Sequence, residues 1–161
     1  MQSGELTEEV ASTLKFPNNK SLRNNSSIES FDELRYFTSI DSIVSQFFQQ
    51  STLTSIDLRN VKYLNNYAFS LCGSLTSVKN TESLLTISNY AFNRTTALSY
   101  IGPLASVTTI GNGVFFKTGL TNHVFDFLNL TQIGYYPLSL NNKKSVYLPK
   151  LTTFAASTNI Y

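Results

Sequence analysis

Among 161 residues the chain has one histidine, His123, and one cysteine, Cys72, so few side chains could carry nucleophilic or proton-transfer chemistry. A Cys–His pair works only when the two groups lie within hydrogen-bond reach and a third group orients the base. A zinc site needs three or four ligands, which one histidine and one cysteine do not supply. A lone cysteine also excludes an internal disulfide and a CxxC redox or metal motif. Paired carboxylates are conceivable only in the N-terminal segment, where solvated helix and loop positions account for them. No glycine-rich loop suited to phosphate is present. The expectation is a protein with no catalytic residues, no metal site and no cofactor.

Charge and composition exclude further classes. The net charge is only +2, with the acids gathered before residue 57 and the bases spread after it, apart from a small cluster at Lys143, Lys144 and Lys150. Nucleic acid would call for a dense basic stripe, and none is present. No apolar run is long enough for membrane insertion. Apolar residues make up 42% and charged residues 14%, so polarity comes mainly from Asn, Ser and Thr, which suit turns and strand surfaces. With 12 Phe and 9 Tyr, a packed aromatic core is within reach.

The elements that must position these residues are visible as a repeat. "LNNYAF" at residues 64–69 returns as "ISNYAF" at 87–92, and apolar columns recur at offsets of 22 or 23, with one of 21 at the end of each middle column. Leu53, Leu75, Leu98 and Leu120 form one column, followed by Ile56, Val78, Ile101, Val124 and Val146. Val61, Leu84, Val107, Leu130 and Leu151 come next, then Leu64, Ile87, Ile110, Ile133 and Phe154. Ala68, Ala91, Val114 and Pro137 are the small column, beside Phe69, Phe92, Phe115 and Leu138. No single coil can bury these positions alone, whereas stacked coils place like on like in one core. Short alternating segments such as "SIDL" and "SVYL" predict parallel strands along the stack, about 4.8 Å apart. The second half of each coil is predicted to return as a short strand or turn. In this frame His123 sits in a leading strand and Cys72 on the return side two coils away, which separates the two. Cys72 reads as a small space-filling thiol.

Asn66, Asn89 and Asn112 are spaced by 23 and predict a ladder of amides that satisfy the backbone at the bend. Gly111 and Gly134 precede the corresponding positions and predict a tight bend. Tyr67, Tyr90 and Tyr136 form a further column, interrupted by Gly113, on the outer side of the turn.

The pattern "LTSIDL…VKYLNNYAF…C" resembles the BspA-like (Treponema pallidum-type) leucine-rich repeats over roughly residues 28–154. "SFDELRYFTSI" at 30–40 resembles the segment that opens such arrays in proteins of gut Bacteroides. The resemblance implies a right-handed, curved leucine-rich-repeat solenoid with parallel strands and turn or short helical returns. It also implies a bacterial cell-surface or secreted protein that works in adhesion or recognition. The start "MQSGELTEE" carries no leader, which fits either a cytosolic protein or a removed leader; the resemblance implies the latter.

Two units are expected: an N-terminal capping segment over 1–27, and a repeat array over 28–161 of about five to six coils, the last one degenerate. The cap would hold a short helix N-capped by Thr7, with Glu8 and Glu9 in its first turn. "GELTEE" resembles the back half of an EF-hand-like calcium loop, but Val10 stands where the closing Glu belongs.

Alternation predicts which side chains face outward from the leading strands, on the concave sheet. The column before the inward Ile/Val reads Ser55, Ser77, Tyr100, His123, Ser145; the column after it reads Asp57, Lys79, Gly102, Phe125, Tyr147. The expected binding residues are therefore Tyr100, His123, Phe125 and Tyr147, with Lys79 and Asp57. Clustered exposed aromatics point to a protein or glycan partner, such as a host-matrix or bacterial-surface component, bound by a monomer or weakly self-associating chain. The alternative is a structural spacer in a larger surface protein, its aromatics packed against a neighbouring domain.

Overall fold

The computed structural model describes residues 21–138 and 146–155. The predicted Thr7 helix, the "GELTEE" loop and Ser145 lie outside the described residues.

Each coil contributes short strands to one or both of two parallel sheets. The return sheet holds β1 (Ser42–Ile43), β3 (Tyr63–Leu64), β5 (Thr86–Ile87), β7 (Thr109–Ile110), β8 (Gln132–Ile133) and β9 (Thr153–Phe154), in that order. The leading sheet holds β2 (Ser55–Asp57), β4 (Ser77–Lys79) and β6 (Tyr100–Ile101). Single bridges between Ser30 and Ser55, and between Asp126 and Tyr147, carry the leading pattern to coils on either side. Registers pair repeat equivalents: Ile56 with Val78 and Val78 with Ile101, Leu64 with Ile87 and Ile87 with Ile110. In β1 and in β3 to β8 one residue per strand is buried, β-branched or Leu, as the strand's two-residue period requires. β2 buries Asp57 as well. In β9, which has no further strand of the sheet beyond it among the described residues, both Thr153 and Phe154 are exposed, so Phe154 does not hold the inward place expected of its column.

After each return strand the chain folds through successive tight turns. Residues alternate between bonding within the coil and bonding to the next one. Tyr67, Phe69 and Leu71 donate to Asn89, Ala91 and Asn93 of the following coil, while Ala68, Ser70 and Cys72 donate back three residues within their own. Closing such turns requires left-handed backbone at two places per coil: Tyr67 and Leu71 (φ 59 and 62), Tyr90 and Arg94 (φ 58 and 57), Gly113 and Lys117 (φ 57 and 56). The only helix among the described residues is a 3₁₀ turn, Asp32–Tyr36, whose Leu34 packs into the core.

The core is continuous from coil to coil. Phe48, Phe69, Phe92 and Phe115 stack with centroids 5.1, 5.3 and 5.6 Å apart, their planes within 8° of parallel at each step. Each such pair contributes about 0.5–1.5 kcal/mol beyond area burial. A further inward column, Leu58, Thr81, Leu104 and Phe127, is absent from the pattern read off the sequence. Its members accept the backbone N–H three residues on, from Val61, Leu84, Val107 and Leu130. Thr81 fits this apolar column because its hydroxyl donates to Pro103 O at 2.7 Å.

Candidate binding face

The candidate face is the outward side of β2, β4 and β6 and of the rungs that continue them. Strand alternation places Ser77, Lys79 and Tyr100 outward there, with Val78 and Ile101 buried beneath. Tyr100 is 51% and Tyr147 65% exposed, and Asp126, the bridge partner of Tyr147, brings Tyr147 into the strip.

Two expected members are not available to a partner. Phe125 is 4% exposed and belongs to the core, while Val124, expected inward, is 68% exposed. The reason is an insertion. Four residues, Thr121 to Val124, separate Leu120 from Phe125, where only Ser99 and Tyr100 separate Leu98 from Ile101. One residue of slip exchanges the two faces of a strand, and burying Phe125 in place of Val124 removes the larger apolar group from water. Phe125 then lies 5.2 Å from the Phe115 ring and stacks on Phe127 at 5.2 Å and 11°. The sequence held the signal: Phe125 and Phe127 flank Asp126 in strand alternation. The outward columns are therefore Ser55, Ser77, Tyr100, Val124 and Asp57, Lys79, Gly102, Asp126, Tyr147.

Asp57 is the second correction. It is 5% exposed, because neighbours in its own and the next coil cover its carboxylate. Oδ1 accepts from the Arg59 backbone N–H at 3.0 Å and Oδ2 from the Asn80 amide at 2.7 Å, with the Arg59 guanidinium 3.5 Å away. Its role is to tie two coils together, and Asn80 adopts left-handed backbone (φ 53) at the residue that makes this bond.

His123 stands within the inserted stretch. Its ring meets Phe125 edge-on, with centroids 4.8 Å apart, and partial burial holds its pKa below the usual histidine range. Together with Tyr100, Gly102, Pro103, Val124 and Asp126 it lines a shallow pocket of about 220 Å³. The insertion thus builds an indentation on this strip beside Tyr100.

Cys72 lies elsewhere, in a buried column with Ser51, Thr95 and Thr118. Its Sγ donates to Phe48 O at 2.9 Å and meets Ser51 Oγ at 3.5 Å. Burial pushes its pKa up, against the weaker opposing effect of the Ser51 hydrogen bond. A thiol held neutral in this way is a poor nucleophile. Among the described residues no three of His, Cys, Asp and Glu gather where they could hold a metal ion. No helix among them is long and apolar enough to cross a membrane.

Comparison with known proteins gives a matching picture of the fold. The family model of the BspA type leucine-rich repeat region matches residues 41–159, in 6 copies. A solved leucine-rich repeat protein from Bacteroides ovatus is similar at 19% identity and a TM-score of 0.53, over 75% of this chain and 38% of that one. This chain therefore spans well under half the length of that relative, and the likeness at such identity is one of fold. Among curated proteins none matches the sequence.

Proposed function

The chain belongs to the BspA type leucine-rich repeat family, and from that premise we propose a non-catalytic recognition module that binds a protein or glycan through the leading-strand face. Repeats of this architecture present a row of side chains, one per coil, on a rigid scaffold and so suit interaction with other macromolecules. The observation that carries the reading is the exposed strip of Tyr100, Val124 and Tyr147, edged by Lys79 and Asp126 and indented at His123. Exposed tyrosines over a shallow pocket, with charges at the rim, have the composition of an interaction surface. The setting that fits is the cell surface or the secreted space, with adhesion as the task.

A binding screen of the purified chain against extracellular-matrix proteins, bacterial surface proteins and a glycan array tests this. It is run beside a Tyr100→Ser, Tyr147→Ser double variant shown to melt at the same temperature. Both side chains are exposed, so the variant should fold. A partner that the variant loses supports the module and locates its site. Partners that bind both forms equally, or none at all, favour a spacer whose face packs on a neighbouring domain.

A further inference from the structure

A second site lies on the turn side, where the tyrosine column is broken. Tyr67, Tyr90, Gly113 and Tyr136 hold the same place in successive coils and share left-handed backbone, with φ of 59, 58, 57 and 44. The backbone ladder runs through all three junctions without a gap. Tyr67 N–H bonds to Asn89 O, Tyr90 N–H to Asn112 O and Gly113 N–H to Tyr135 O. Tyr67 and Tyr90 stack with centroids 5.2 Å apart and planes 15° from parallel. At the next rung the backbone is in place, Gly113 carries no ring, and the Tyr90 ring leans over it, within 2.6 Å of where a Cβ would stand. What remains is an open slot of about 360 Å³ lined by Tyr90, Gly113, Phe116, Tyr135 and Tyr136.

The slot is built for a flat guest. Four of its five lining residues are aromatic, and Tyr90 among them already stacks on Tyr67 one coil away. Its volume is at the lower end of the range for small-molecule sites, about 300–1,000 Å³. The charge beside it has one sign. The Lys117 ammonium lies 5.4 Å from the centroid of the ring of Phe116, one of the slot's lining residues. Between Glu82 and the end of the chain the only acid is Asp126, which sits on the opposite, leading-strand face.

We propose that this slot binds a planar aromatic carboxylate, its ring held among Tyr90, Phe116, Tyr135 and Tyr136 and its anion toward Lys117. The site is independent of the leading-strand face.

Indole-3-acetate is the probe, and because the chain has no Trp, indole fluorescence reports the probe alone. Saturable binding to the full chain is expected, with a dissociation constant of about 0.1–1 mM for a ligand of this size. Neutral indole and cationic tryptamine should bind several-fold more weakly, and Lys117→Gln should narrow that preference. Gly113→Tyr adds a ring at this rung, rebuilds the wall of the slot and should abolish binding; tyrosine already adopts this backbone at three equivalent places. A side chain there does displace the Tyr90 ring, since a Cβ on Gly113 would come 2.6 Å from Tyr90 Cε1. Tyr136→Ser therefore serves as the second variant. It removes an exposed wall without touching the core and should weaken binding about fivefold, the worth of one aromatic contact. The proposal is overturned by no saturable binding at concentrations up to about 10 mM. Binding that survives both substitutions, or that is equal for the anion and the cation, overturns it as well.

Discussion

Asn89 Oδ1 accepts the backbone N–H of Asn112, one coil on, at 2.8 Å. The same bond runs from Asn66 to Asn89 at 3.1 Å and from Asn112 to Tyr135 at 2.8 Å, so the amides form a ladder down the bend. Each side chain supplies an acceptor to an N–H that the turn leaves without a backbone partner. Asn112→Ala should cost about 0.5–1.5 kcal/mol, the usual net worth of a hydrogen bond, because the Tyr135 N–H it orphans is exposed enough to meet water. Asn112→Asp keeps the acceptor and should cost clearly less. Urea denaturation of the two variants checks the ladder, and equal losses would mean that the oxygen is not the contributing atom.

The ladder explains two glycines better than the bend does. Neither Gly111 nor Gly134 has left-handed backbone, whereas Gly113 does. A Cβ on Gly111 would lie 2.6 Å from Asn89 Oδ1 and 2.7 Å from the Asn89 backbone N. Backbone atoms cannot step aside cheaply, so Gly111→Ala should destabilise by about 1–3 kcal/mol, as overpacking does. A denaturation midpoint equal to wild type would show that the coils can spread to admit a methyl group.

The slipped register at coil five gives a reciprocal test. Phe125→Ser removes a buried ring from the aromatic stack and should cost about 3–5 kcal/mol. Val124→Ser changes an exposed side chain and should shift stability by less than about 0.5 kcal/mol. Thermal melts of the pair decide between the two registers, because the uncorrected alternation demands the opposite order.

Much of this architecture was legible because stacked coils repeat their requirements. Leu53, Ile56, Val61, Leu64 and their equivalents recur at a fixed spacing, since each must meet its counterpart one coil away, and all four are buried. Legibility failed where spacing changed locally. Coil five lengthens before Phe125, which displaced one outward column and hid the inward face of Phe127. The column of Leu58, Thr81, Leu104 and Phe127 is not legible in the sequence because Thr81 is polar and its hydrogen bond to Pro103 O belongs to the three-dimensional structure. Asp57 was read as outward on correct alternation, and its covering by Asn80 and Arg59 could not be read from one strand alone. In the tyrosine column Gly113 was legible as an interruption, but the slot it leaves depends on where Tyr90 and Tyr136 point.

Cys72 should behave as a threonine equivalent. It shares its column with Ser51, Thr95 and Thr118. Its neutral thiol donates to Phe48 O of the preceding coil, whereas the threonines donate to Phe92 O and Phe115 O of their own, so a hydroxyl there has a carbonyl within reach. Cys72→Thr should therefore fold with a stability change within about 1 kcal/mol, as volume-matched changes do when the hydrogen bond is kept. A disulfide reagent at neutral pH should leave the native thiol unmodified and react fully once urea unfolds the chain. Rapid modification of the native protein would contradict the burial of Sγ.

His123 supplies the pH dependence of the leading-strand face. Desolvation beside Phe125 favours the neutral imidazole and lowers its pKa in the folded state. The unfolded chain, with a histidine pKa near 6.5, binds the proton more readily as pH falls. The contribution is therefore fully present above about pH 6.5 and is lost as pH drops through the lowered folded value. Replacing His123 with Gln removes that titration and keeps a polar side chain of similar reach. Between pH 7 and pH 5 the wild-type melting temperature should fall more steeply than that of His123→Gln. The same protonation places a cation against the pocket floor beside Tyr100, so a partner that occupies the pocket should bind more weakly at pH 5 unless it is acidic. Parallel pH profiles for the two proteins would mean that the imidazole is solvated in both states and that the inserted stretch does not hold it against Phe125.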